Sequence, residues 1–227
     1  MKDVMYVVGK TTTKEVYVAS VTRRFITDEY LKIEDEINGN PIGEVVEIFS
    51  YSKVKENTFP SETGIYQSLQ DLGLLHENKT VHMAKVNILE ELQYAVTPHS
   101  TVTIPNFSEI EDLLVSASPE KGFVLGVIRG TEKFQPLLPD SLRNLVLLYK
   151  EKSGIVPQEG VPFILPFYKL NEYPHFGFFG GTGSGKTHAL RVVCEEIMRH
   201  GIPGVVIDPH FELRFDRVME GLPEEHR

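Results

Sequence analysis

Long apolar runs are missing from this chain, and none approaches the roughly 18 residues that a membrane-crossing helix requires. The opening residues Met1-Lys2-Asp3-Val4 also lack the apolar centre of a signal peptide, so a cytoplasmic protein without a membrane partner is expected. Cysteine occurs once, at Cys194, which excludes an internal disulfide and fits a reducing compartment. The eight histidines show neither H-x-x-x-H nor Cys/His pairing at metal-ligand spacing, which argues against a resident metal centre. Basic residues are outnumbered 23 to 32, giving a net charge of −9. That balance excludes a surface broadly coated for nucleic acid but leaves open a ring-shaped motor with a few basic pore loops. No internal repeat or low-complexity tract is present. With 41% hydrophobic and 24% charged residues among 227, the chain has the composition of a globular protein of one large domain or two small ones.

The most informative stretch that is present runs from His175 to Thr187, His-Phe-Gly-Phe-Phe-Gly-Gly-Thr-Gly-Ser-Gly-Lys-Thr. Gly180, Gly185, Lys186 and Thr187 fill the fixed places of G-x-x-x-x-G-K-[ST], a phosphate-binding loop. Its glycines reach backbone angles closed to other residues and leave room for successive N–H groups to curl around a phosphate at the positive end of a helix. Gly180, Gly181, Thr182, Gly183, Ser184, Gly185, Lys186, Thr187 and His188 are therefore the candidate ATP-binding residues. The Lys186 ammonium would lie between the β- and γ-phosphates, and the Thr187 hydroxyl would ligate Mg²⁺.

Around this loop the grammar is strand, loop, helix, strand. Phe176–Phe179 reads as a strand apolar on both faces, and Lys186–His200 as a helix burying Leu190, Val193, Cys194 and Ile197 before Gly201. Val205-Val206-Ile207 reads as a second buried strand that delivers Asp208 to its C-terminal end. The charged segment Arg214–Arg227 follows.

Earlier in the chain, Val4–Val8, Glu15–Ala19, Tyr30–Ile33 and Val45–Tyr51 are short runs rich in β-branched and aromatic residues, which suggests a small β-barrel or sandwich. Thr80–Ile88 and Ser100–Ile104 extend the series. Helices are expected over Gly64–Leu75 and over Asn106–Ser116, the latter with Ser108 as N-cap and Glu111 completing a capping box. Gly122–Ile128 reads as a buried strand, Asp140 as the cap of a helix through Leu142, Leu145, Val146 and Tyr149, and Gly154–Pro166 as a linker or hairpin. The fold class is α/β overall. A small barrel over residues 1–105 and a mixed segment over 106–170 precede the start of a P-loop α/β domain at 171–227.

Catalytic residues are not assignable from these motifs. Asp208 fits three roles: the Mg²⁺-linked acid, a supporting residue, or the cap of the turn before Pro209. Glu212 reads as a solvated loop glutamate, and Arg191, Arg199 and Arg214 as surface or interface residues. Cys194 reads as core, and His188 as outward-facing on the first helical turn.

Taken together, these motifs resemble the HerA branch of the HerA/FtsK ATPases. The likeness rests on His175-Phe176 before the Gly-Gly-Thr-Gly-Ser-Gly-Lys-Thr loop and on Val205-Val206-Ile207-Asp208-Pro209-His210 after one helix. Val7-Val8-Gly9 and Ile42-Gly43-Glu44-Val45-Val46-Glu47-Ile48 are similar to strands of that family's HAS barrel. The resemblance implies a RecA-like ATPase domain in a homo-hexamer that moves double-stranded DNA through its pore. It also implies a barrel that docks a partner such as a NurA-type nuclease, for end processing or phage defence. Asp208 matches the aspartate of the family's Asp-Pro-x-Gly-Glu segment, but Phe211 stands where that segment has glycine. Only about 40 residues follow Lys186, so the family's Walker B acid, catalytic glutamate and arginine finger are expected outside this chain. A non-catalytic module for oligomerisation or partner docking, and a small-molecule kinase, are the rival readings.

Overall fold

The computed structural model describes residues 4–76, 79–150, 154–175, 177–213 and 215. The chain divides into two compact units, Met1–Ile110 and Glu111–Arg227.

The first unit is built on six antiparallel strands: β1 (Met5–Val8), β2 (Glu15–Ser20), β3 (Tyr30–Ile33), β4 (Ile42–Tyr51), β5 (Val81–Ile88) and β6 (Thr101–Thr103). Their order, β1-β2-β5-β4-β3-β6, closes on itself because β6 pairs with both β1 and β3. Alternation explains the inside of this sheet: Val7, Val16, Val18, Leu31, Ile33, Val45, Val86 and Val102 point inward and are buried. The opposite face of β1, β2 and β5 is covered too. Val8, Ala19, Val81 and Met83 lie beneath Ile65 and Leu69 of helix α1 (Ile65–Asp71), with Phe59 and Leu74 beside them. Gly9 makes this close approach possible, since its φ is +73° and an added Cβ would lie 2.6 Å from Ile65 Cγ1. Its N–H donates to Ser68 Oγ at 2.9 Å.

A buried ion pair lies in the turn from β2 to β3. Arg23 Nη1 and Nη2 donate to Glu29 Oε1 and Oε2 at 3.2 and 2.5 Å. Glu29 Oε1 also accepts the Ile26 N–H at 2.8 Å, and the guanidinium lies over the Phe25 ring. Asp35 ties two loops together by accepting from Thr97 N, Thr97 Oγ1 and Asn38 Nδ2.

Helix α2 (Phe107–Leu114) begins ahead of its expected Ser108 cap. Glu109 Oε2 accepts the Asn106 N–H at 2.8 Å, so the N-terminal bracket is Asn106–Glu109 rather than Ser108–Glu111. This frame buries Phe107, Ile110 and Leu114 along one face.

In the second unit, β7 (Gly122–Val127) pairs with β10 (Pro162–Pro166), and β8 (Leu147–Lys150) with β9 (Gly154–Pro157), all antiparallel. The helix expected from Asp140 is a single turn, Asp140–Leu142. Asn144 at φ +57° ends any helical continuation, and Leu147–Lys150 joins a hairpin instead. A short helix α3 (Phe167–Glu172) follows β10, and α4 (Lys186–Arg199) packs on β7. Glu196 Oε2 accepts the Val124 N–H at 2.6 Å, and the His200 and Phe167 rings meet edge to face 4.8 Å apart.

The two strands expected beside the P-loop are not formed. Residues 177–180 and 204–207 carry no strand pairing, and Phe179, Val205 and Ile207 are 95%, 91% and 88% exposed. Phe176 lies outside the described residues, as do Arg214 and 216–227. An apolar segment becomes a strand only when a neighbour takes its N–H and C=O groups, and no ladder partner lies beside either segment among the described residues. No described helix is long and apolar enough to cross a membrane.

Candidate phosphate-binding site

Residues 181–185 form the turn that feeds α4, as the glycine spacing predicts. Gly183 and Gly185 have φ values of +79° and +87°, and Gly185 is the N-cap residue of α4. A β-branched side chain would be strained at either position. The first bond within the helix is Ala189 N–H to Gly185 C=O, so the N–H groups of Lys186, Thr187 and His188 have no carbonyl partner inside α4. No acidic residue lies in this first turn, although an acid there normally balances the positive helix end. Lys186 adds to the positive charge rather than offsetting it. The loop is exposed, and its arrangement suits an anion supplied from solution.

Lys186 Nζ donates to Gly181 O at 2.7 Å, folding the side chain back over the turn, and Ser184 N–H donates to the same carbonyl at 3.3 Å. The Thr187 hydroxyl donates to Glu212 Oε2 at 3.1 Å. His188 is exposed, as expected of an outward-facing residue. Gly181 and Thr182 complete the turn, and Gly180 abuts Ser184, whose Oγ lies 2.5 Å from where a Cβ would stand on Gly180.

Asp208 does not face the loop with a free carboxylate. Its Oδ1 accepts the His210 N–H at 3.2 Å and its Oδ2 accepts the Leu213 N–H at 2.7 Å. Both oxygens therefore hold the 208–213 turn. Phe211 takes φ +56° within this turn, the left-handed angle that glycine would supply more readily. The Phe211 ring is exposed, so the turn buries nothing apolar at this position.

Glu212 is the residue that the local pattern did not single out. Its partner lies 25 positions away, so periodicity carries no trace of the contact. The available signal was the Asp208-Pro209-x-x-Glu212 spacing, in which an aspartate-stapled turn projects the glutamate. The arginines of α4 point elsewhere: Arg191 pairs with Glu195 at 2.7 Å and Arg199 with Glu196 at 2.6 Å. Of the α4 residues expected inside, Val193 and Cys194 are buried, Ile197 is half-buried and Leu190 is 39% exposed.

Burial, then the neighbouring Glu195 carboxylate, pushes the Cys194 thiol up, which keeps it protonated at neutral pH. Iodoacetamide at neutral pH is expected to leave Cys194 unmodified in the folded protein and to alkylate it fully in denaturant, as read by intact mass. Rapid labelling of the folded chain would contradict its placement in the core.

Thr187 and Glu212 contribute hard oxygen donors of the kind Mg²⁺ takes, and the open glycine turn beside them has room for the phosphates that would complete its shell. Among the described residues no group of three or more His, Cys, Asp or Glu side chains could hold a metal ion without such help. No protein of curated description matches the chain. Residues 155–217, which contain the glycine turn, α4 and the 208–213 turn, match the family model described as the central domain of helicase HerA, which makes this segment similar to HerA/FtsK-type ATPases.

Proposed function

We propose that the chain binds Mg·ATP through residues 180–187 and works in a HerA-type translocase that uses ATP hydrolysis to drive double-stranded DNA through a homo-hexameric ring. The observation that carries this reading is an anion-ready helix N-terminus, with Lys186 and Thr187 at its first two positions, inside the segment that matches the HerA central domain. The six-stranded first unit, read as a HAS-type barrel, serves on this proposal as the docking platform for a nuclease partner. Its strands and loops leave Ile26, Ile37 and Ile48 exposed, apolar surface of the kind a partner covers.

Nucleotide binding tests the core of the proposal. Wild-type chain is expected to bind a fluorescent ATP analogue, and Lys186→Ala to weaken that binding at least tenfold by removing the phosphate-facing ammonium. In the full assembly, Lys186→Ala is expected to abolish DNA-stimulated ATP turnover. Equal affinity and equal turnover in the two proteins would overturn the proposal.

One observation favours the second reading, a non-catalytic docking module: the apolar segments 177–180 and 204–207 beside the loop are unpaired and exposed. On that reading partner capture depends on residues before about 165 and survives Lys186→Ala unchanged.

A further inference from the structure

Resting on the reading of residues 180–187 as a Mg·ATP site, we propose that Glu212, held in place by Asp208, supplies from within this chain an acid of its divalent-cation site, beside the Walker B acid expected elsewhere. A threonine hydroxyl has one proton and two lone pairs. In the structure that proton goes to Glu212 Oε2 at 3.1 Å, which leaves the oxygen's lone pairs free for a cation. A carboxylate that takes the proton of a metal-ligating group fixes its orientation and raises its basicity. Glu212 is the carboxylate the structure shows bonded to the first turn of α4, where Lys186 provides positive charge and no acidic residue lies in the turn itself.

The neighbouring acids are committed elsewhere. Both Asp208 oxygens accept backbone N–H groups, and Glu195 and Glu196 pair with Arg191 and Arg199 in the C-terminal half of α4. Asp208 is therefore a positioning residue. By holding His210 N–H and Leu213 N–H it curls the chain through Phe211 and presents the intervening Glu212 to Thr187.

The experiment compares nucleotide affinity of the full chain in Mg²⁺ and in EDTA, using a fluorescent ATP analogue, for wild type, Glu212→Gln, Thr187→Ala and the double variant. Glutamine preserves size and an acceptor oxygen but removes the charge, and Glu212 is exposed, so folding is not at stake. Expected for Glu212→Gln is unchanged affinity in EDTA and at least a fivefold loss of the gain that Mg²⁺ confers. The double variant is expected to lose no more than Thr187→Ala alone, because the two residues act as one unit. Asp208→Asn is expected to show a smaller loss of the same kind. Electron paramagnetic resonance of Mn²⁺ with ADP gives a second readout, in which Glu212→Gln releases more free Mn²⁺ than wild type. A Glu212→Gln protein that keeps the wild-type Mg²⁺ gain and Mn²⁺ occupancy would overturn the assignment while leaving nucleotide binding intact. Failure of the wild type to bind in either buffer would overturn both.

Discussion

Glu29→Ala is expected to destabilise the first unit by about 3–5 kcal/mol, the usual consequence of leaving one member of a buried ion pair without its partner. Glu29 is 4% exposed and holds three donors at once, two from the Arg23 guanidinium and one from the Ile26 N–H. Alanine strands all three. The mostly buried guanidinium stays over Phe25, where its Nη1 also contacts Met5 Sδ at 3.5 Å, and only its small exposed fraction is left to water. Domain stabilities lie at about 5–15 kcal/mol, so such a loss is a large fraction of the total. A fall of at least about 12 °C in Tm, followed by circular dichroism, is the expected readout. The double substitution Arg23→Met, Glu29→Leu removes both charges together and is expected to recover most of the loss, since apolar replacement of a buried pair is often close to neutral. A Glu29→Ala protein that melts with the wild type would show that water reaches this pair and that it contributes little to the barrel.

The first unit was largely legible because closing a small sheet imposes a period of two on every strand. Tyr30–Ile33 coincides with β3, and Glu15–Ala19 differs from β2 by one residue. Val45–Tyr51 missed the first three residues of β4, where Gly43 interrupts the β-branched run. At α2 two overlapping frames, Asn106-x-x-Glu109 and Ser108-x-x-Glu111, both satisfy the capping pattern. The core decides between them by burying Phe107 and Ile110, a tertiary fact that local spacing does not contain.

The second unit was legible where backbone chemistry is local and illegible where it is not. Glycine spacing and Lys-Thr at the helix start placed the turn and α4 to within a residue, because φ constraints and capping belong to the segment itself. The flanking apolar runs are another matter: residues 177–180 and 204–207 are apolar enough for strands, yet strand formation is a property of neighbours. The Thr187–Glu212 contact escaped for a related reason, since it depends on a turn closed by Asp208 rather than on any periodic signal.

Gly185→Val is expected to lower ATP affinity at least a hundredfold, about 2.8 kcal/mol, while leaving the fold unchanged. The position has φ +87°, where a β-branched residue is strained, so the turn must give up the conformation that aims its N–H groups at an anion. The side chain itself meets nothing: a Cβ built at Gly185 has no protein atom within 4 Å. Strain at one exposed turn residue costs about 1–3 kcal/mol locally and is relieved by rearranging the loop, not by unfolding β7, β10 or α4. Binding therefore absorbs the effect that folding escapes. Gly181→Ala is the matched comparison, because Gly181 lies outside the left-handed region and an added Cβ there also finds open space. Its affinity is expected to stay within about threefold of the wild type, less than about 1 kcal/mol. Titration of both variants with the same nucleotide separates the two ways a glycine can matter in this loop. Comparable losses at 181 and 185 would mean that simple bulk excludes the phosphates, whereas loss at 185 alone traces recognition to the backbone angle that starts α4.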